Sequence, residues 1–148
     1  MATNVPLAVP ISHPAPQRDR VGLAALLFGL VAAPLAWDAQ LILSASLSGS
    51  GCYPHASPLA APSWAGLPPV LLAISLIAAS IAIVGGAVSW RSWRRTSQER
   101  AGSAHHLLDL GEGRTRFLAM CGLLTSALFL IAVAFGATVL CLVPLCGR

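Results

Sequence analysis

The chain has 148 residues, 56% of them hydrophobic and only 9% charged, with a formal net charge of +4 and a mean hydropathy of +0.76. A soluble domain carries about 25% charged residues, and so short a chain has too little interior to hide this much apolar surface. An ordinary water-soluble fold is therefore excluded and the bilayer becomes the expected solvent. All nine positive charges are arginines that flank apolar runs, which points to anionic lipid headgroups rather than nucleic acid as the partner.

Residues 1–20 are Pro-rich and read as a disordered tail. The first apolar run, residues 21–47, follows Arg18 and Arg20. It is longer than the apolar region of a secretory signal peptide, so it reads as a retained span. Pro34 can kink it. Residues 48–68 form a loop without a charged residue, and residues 69–90 are the second span, with Pro68 and Pro69 at a helix start, where a missing N–H matters least. Residues 91–116 carry six arginines, Arg91, Arg94, Arg95, Arg100, Arg114 and Arg116, and are expected to lie along the headgroups with a short helix near 107–110. The third span is 117–143, and 144–148 form a tail. Each run has the ~20 residues that a helix needs to cross the hydrocarbon, and a spanning segment must satisfy its own backbone, so all three are predicted to be helices.

The expected fold is an all-α membrane protein with three transmembrane helices, the N-terminus cytoplasmic and the C-terminus periplasmic. Direction follows from arginine placement: eight lie before the first span or between the second and third, and only Arg148 lies on the other side. The positive-inside rule puts the rich side in the cytoplasm of a bacterial inner membrane. Trp90, Trp93 and Phe117 at one edge, and Tyr53 and Trp64 at the other, fit aromatic belts.

Small residues recur every four positions, Ala25, Gly29 and Ala33 on the first span and Ala78, Ala82 and Gly86 on the second. Such ridges allow close helix contact, although alanine-rich spans produce them by chance too. Asp38 is the only acid inside a span. One reading makes it a functional group, for proton transfer or for anchoring a partner's arginine. The other places it at the outer boundary, with Trp37 as a belt residue. If Asp38 is buried, matching of depth sets Ser75 and Thr138 beside it as hydrogen-bond donors.

Cys52, Cys141 and Cys146 fall on the expected oxidising side and Cys121 near the cytoplasm. A Cys52–Cys146 disulfide is preferred, because Cys141 belongs on the helix, where its direction is less suited to Cys52. Cys121 should remain a buried thiol. The competing reading is a copper or zinc site from Cys52, His55, Cys141 and Cys146. His13, His55, His105 and His106 all lie outside the spans, which argues against an intramembrane haem, and His105 and His106 read as solvated. The sequence holds no phosphate-binding glycine loop, nucleophile elbow or zinc-protease motif. It therefore predicts no enzyme and no cofactor.

The run Pro34-Leu-Ala-Trp37-Asp-Ala-Gln40-Leu41 with Cys52-Tyr53-Pro54-His55, then Gly111-Glu-Gly113-Arg-Thr-Arg116-Phe117 and Leu142-Val-Pro144-Leu-Cys146, resembles a family of small uncharacterised bacterial inner-membrane proteins. The resemblance covers residues 21–146, with a leucine between Pro144 and Cys146 where the family has proline beside cysteine. Its genes often accompany those for haem–copper cytochrome c oxidase and its assembly factors. The resemblance implies association with a terminal oxidase. Three short spans with a bare outer loop leave little room for a substrate cavity, so the expected role is a non-enzymatic accessory or assembly subunit, with membrane lipids and other membrane subunits as partners. A periplasm-facing copper-handling protein and a small proton-linked transporter are the alternatives.

Overall fold

The structure, a computed structural model, describes residues 21–55, 57, 59–96 and 114–146, with the side chain of Arg114 left out. The Pro-rich tail, the short helix expected near 107–110, and His13, His105, His106, Arg18, Arg20, Arg100 and Arg148 lie outside the described residues. Three helices follow one another: α1, Leu23–Cys52; α2, Leu67–Arg95; and α3, Arg114–Leu142. Each is long and apolar enough to cross a membrane, and there is no strand among the described residues beyond an isolated bridge between His55 and Ser57. Their 30, 29 and 29 residues correspond to roughly 45 Å of helix, well beyond the hydrocarbon thickness. α1 thus continues past its expected span to the Ser/Gly-rich turns ending at Cys52, α2 passes both of its expected ends, and α3 begins early at Arg114. α1 starts at Leu23 and α3 ends at Leu142, just inside the expected bounds. Pro34 lies inside an uninterrupted α1.

All three helices pack on one another in a bundle. Its interior inverts the arrangement of a soluble protein. The buried residues are chiefly small, including Ala33, Ala36, Ala78, Ala82, Ala119, Ser75, Ser89 and Ser126, whereas Leu27, Ile42, Leu76, Ile77, Leu128, Ile131 and Phe135 face outward. Lipid tails are as apolar as leucine, so burying large side chains gains little. Close backbone approach and polar contact hold such helices together instead.

The buried stripes are Leu26, Gly29, Ala33, Ala36 and Gln40 on α1; Leu71, Ser75, Ala78, Ala82, Gly85, Ser89 and Ser92 on α2; and Thr115, Ala119, Gly122, Ser126 and Val133 on α3. Steps of three and four alternate, which is the repeat of a left-handed bundle. This corrects the four-residue ridges in the sequence. Gly29, Ala33, Ala78 and Ala82 are buried, but Ala25 and Gly86 are only half-buried, because repeated steps of four overshoot a helical turn by roughly 40° each.

The tightest crossing joins Gly29, Ser89 and Gly122. A Cβ on Gly122 would meet Ser89 Oγ at 2.6 Å and the backbone C and O of Gly29 at 3.1 Å, and one on Gly29 would collide with Ser89 Oγ. Ser126 Oγ also donates to the Gly29 carbonyl across the bundle at 3.3 Å. Toward the arginine-rich end, Val21, Leu26 and Ala119 pack with Trp93, whose ring lies 5.1 Å from that of Trp90 and 5.6 Å from the Arg116 guanidinium.

Because backbone atoms oppose residue 122, the contact cannot yield by rotating a side chain. Gly122→Leu should destabilise the bundle by about 1–3 kcal/mol or more, the usual range for overpacking. Gly49, with open space around its Cβ position, should accept alanine without loss. Reversible denaturation in mixed detergent micelles, run on both variants, measures the difference.

Candidate functional site

Two sets of residues stand apart from plain helix packing. At the end of the bundle opposite the arginines, Cys52 closes α1 and is joined by a disulfide to Cys146, which follows α3 after Pro144. Their Cα atoms are 5.3 Å apart, within the range a bridge requires, and both residues are buried. Past Leu142 the chain bends and Cys146 is buried against Cys52, while Cys141 stays exposed on the last turn of α3. The loop is tied back onto α1 by hydrogen bonds from Leu59 N to the Cys52 carbonyl, 2.9 Å, and from Ser63 N to the Gly51 carbonyl, 3.0 Å. Leu67 packs beneath Gly51. The disulfide is the one preferred from the sequence. Cys121 is half-buried and free.

The alternative set Cys52, His55, Cys141 and Cys146 does not gather. Among the described residues no three His, Cys, Asp or Glu side chains group to hold a metal ion. Cys52 and Cys146 bond each other, and His55 and Cys141 are exposed.

The second set lies inside the bundle, in the half nearer the disulfide. Gln40, in the buried stripe of α1, donates from Nε2 to Ser75 Oγ at 3.0 Å, and Ser75 donates in turn to the Leu71 carbonyl at 3.1 Å. Gly136 of α3 leaves the space: its Cβ position lies 3.5 Å from Gln40 Nε2. Gln40 Oε1, and Ser44 Oγ one turn further along α1, are buried without a hydrogen-bond partner among the described residues. Beside this set Trp37 packs on Phe129 with ring centroids 5.3 Å apart.

Asp38 stands elsewhere. It is exposed, and at 3.6 residues per turn it lies roughly 160° around α1 from the centre of the buried stripe. The structure therefore does not bring Asp38, Ser75 and Thr138 together. Ser75 pairs with Gln40, and Thr138 is exposed and donates to its own helix at the Ala134 carbonyl, 2.9 Å. Matching residues by depth alone ignores helix rotation, and two positions separate opposite faces of one helix. Gln40 is the polar residue that reasoning from the sequence passed over. Its signal was its place seven residues after Ala33 on the small-residue stripe, which Asp38 does not share.

Along α1, Asp38 lies inside the apolar run expected as the first span. It is nine residues short of Leu47, roughly 13 Å of helix. Pairing of Ala36 with Ala78 and of Gln40 with Ser75 sets Asp38 level with Ile77, near the middle of the apolar stretch of α2. No family model matches the chain, and comparison with curated proteins and with solved structures finds no match.

Two outcomes check these geometries. Ser75→Ala leaves Gln40 with neither end of its amide bonded and should cost about 1–3 kcal/mol, whereas Gln40→Leu removes the unpaired oxygen along with the bond and should cost less. Detergent denaturation of the pair gives the order. For the disulfide, alkylation without reductant followed by peptide mapping should leave Cys52 and Cys146 unlabelled and label Cys141. Cys146→Ser should lower stability by less than the about 4–5 kcal/mol that chain entropy assigns to so long a loop, since the membrane already restrains the ends.

Proposed function

We propose that this chain is a non-enzymatic accessory or assembly subunit of a bacterial inner-membrane complex, and specifically of a terminal haem–copper cytochrome oxidase. The observation that carries the subunit reading is the outward placement of Asp38 on a three-helix bundle. A charged side chain presented to lipid at that depth is costly, and acids in spans face protein or water. Among the described residues no other helix covers Asp38, which is exposed on α1, so an external protein surface is the natural cover. The bundle's own interior is filled by small side chains at backbone contact, which favours a scaffold over a substrate cavity. Assignment of the complex to a terminal oxidase rests on the sequence resemblance.

Orientation has two supports. The described arginines Arg91, Arg94, Arg95 and Arg116 lie at one end of the bundle and the disulfide at the other. Positive-inside placement and an oxidising compartment then agree on a cytoplasmic N-terminus and a periplasmic C-terminus. The arginine-rich end meets the anionic headgroups of the inner leaflet.

Purification of the tagged chain in mild detergent, followed by mass spectrometry, should recover oxidase subunits in fixed proportion. Recovery of the chain with lipid alone would overturn the subunit reading. Alkaline phosphatase fused after Arg148 should be active, and an inactive phosphatase with an active cytoplasmic reporter at the same place would reverse the topology.

A further inference from the structure

Beside Asp38 the surface of α1 is shaped as well as charged. Leu27, Phe28, Val31, Leu35, Ala39 and, from α2, Ile81 line an apolar trough of about 650 Å³ open to the outside of the bundle. On the α1 wheel, Val31 and Leu35 fall within roughly 60° of Asp38, so a rod laid along this face touches the trough wall and the carboxylate together.

What covers the face is set by charge. Residues 21–90 and 117–147 contain no arginine or lysine. The level of Trp93 and Arg116 matches Leu26, twelve residues or roughly 18 Å from Asp38. The expected first span ends at Leu47, roughly 13 Å of helix beyond Asp38, and an aspartate has a single methylene, too short to reach water there as a long arginine or lysine does. A second copy of this chain does not solve the problem. Paired in parallel about an axis along the membrane normal, two copies set Asp38 against Asp38 at one depth, and like charges repel. Paired antiparallel, they break the arginine asymmetry.

Building on the subunit reading, we infer that the outer face of α1 docks a transmembrane helix of a different protein that carries an arginine or lysine at the depth of Asp38. The cation pairs with the Asp38 carboxylate, and apolar side chains a turn to either side enter the trough between Leu35, Ala39 and Ile81. Charge assistance makes such bonds strong, and in the low dielectric of a bilayer an uncompensated carboxylate is costly, which selects a partner with a cation at that one level over helices without one.

The test uses the full chain in its native membrane. A photo-crosslinking amino acid is placed in turn at Val31 and Leu35, and at Leu128 on the outer face of α3 as a control. Crosslinked peptides are mapped by mass spectrometry, and recovery of the same partner is compared for wild type, Asp38→Glu, Asp38→Asn and Asp38→Leu. The expected result is capture at Val31 and Leu35, and not at Leu128, of an apolar segment with an arginine or lysine within one turn of the crosslink. Asp38→Glu should keep the partner. Asp38→Asn and Asp38→Leu should each lower its recovery at least about tenfold, as loss of one member of a desolvated ion pair does, while the Cys52–Cys146 disulfide still forms. Exchanging the charges, Asp38→Arg against aspartate at the partner's cation, should restore capture. Undiminished recovery with Asp38→Asn and Asp38→Leu would overturn the ion pair and leave the subunit reading standing. Crosslinks from Val31 and Leu35 to a second copy of this chain would overturn the foreign partner. Lipid alone at every position would overturn both readings together.

Discussion

Where α1 and α3 cross, the backbone of Gly29 fills the space that a side chain on residue 122 would need, and Ser89 of α2 presses its hydroxyl against both glycines. The three helices meet at a point where none has room to rotate. Register follows from there. With Gly29 opposite Ser89, successive steps of three and four bring Ala36 to Ala78 and Gln40 to Ser75, and the end of α1 to Leu67. A bulkier side chain at the crossing would separate the axes and take the Gln40–Ser75 bond with it.

The disulfide works on the same geometry from the opposite end. Cys52 and Cys146 stand 94 residues apart in the chain, and their bridge ties the end of α1 to the tail beyond α3. The glycine crossing and the bridge hold α1 at two separated levels. Its orientation about its own axis is thereby determined, and with it the direction in which Asp38 points. The outward acid is a consequence of packing the opposite face, since Gln40, two residues on, occupies the inside.

Several features were legible in the residues. Three apolar runs of sufficient length specify three helices able to cross a membrane. The choice of Cys146 over Cys141 was legible too, because a helical cysteine at the end of α3 and one beyond Pro144 differ in the freedom to turn back toward Cys52. The relation between Asp38 and Ser75 was not. Depth along a helix is linear in residue number and can be counted, whereas the facing of a side chain depends on which stripe the helix buries. The repeating alanines of α1 and α2 fit several stripes almost equally well, and Ala25 and Gly86 belong to one of those that lost.

By itself the sequence determined that there are three helices long and apolar enough to cross a membrane, and roughly where each lies, because length and transfer free energy are properties of each segment alone. Tertiary structure decided the rotation of each helix, the pairing of Gln40 with Ser75, and the placement of Asp38 outside the bundle. In lipid a leucine face and an alanine face differ little in their attraction for a neighbour, so no apolar stripe marks the inward side. Rotation is decided by steric fit between particular residues of different helices, above all Gly29, Ser89 and Gly122, and that fit exists only once the helices are together.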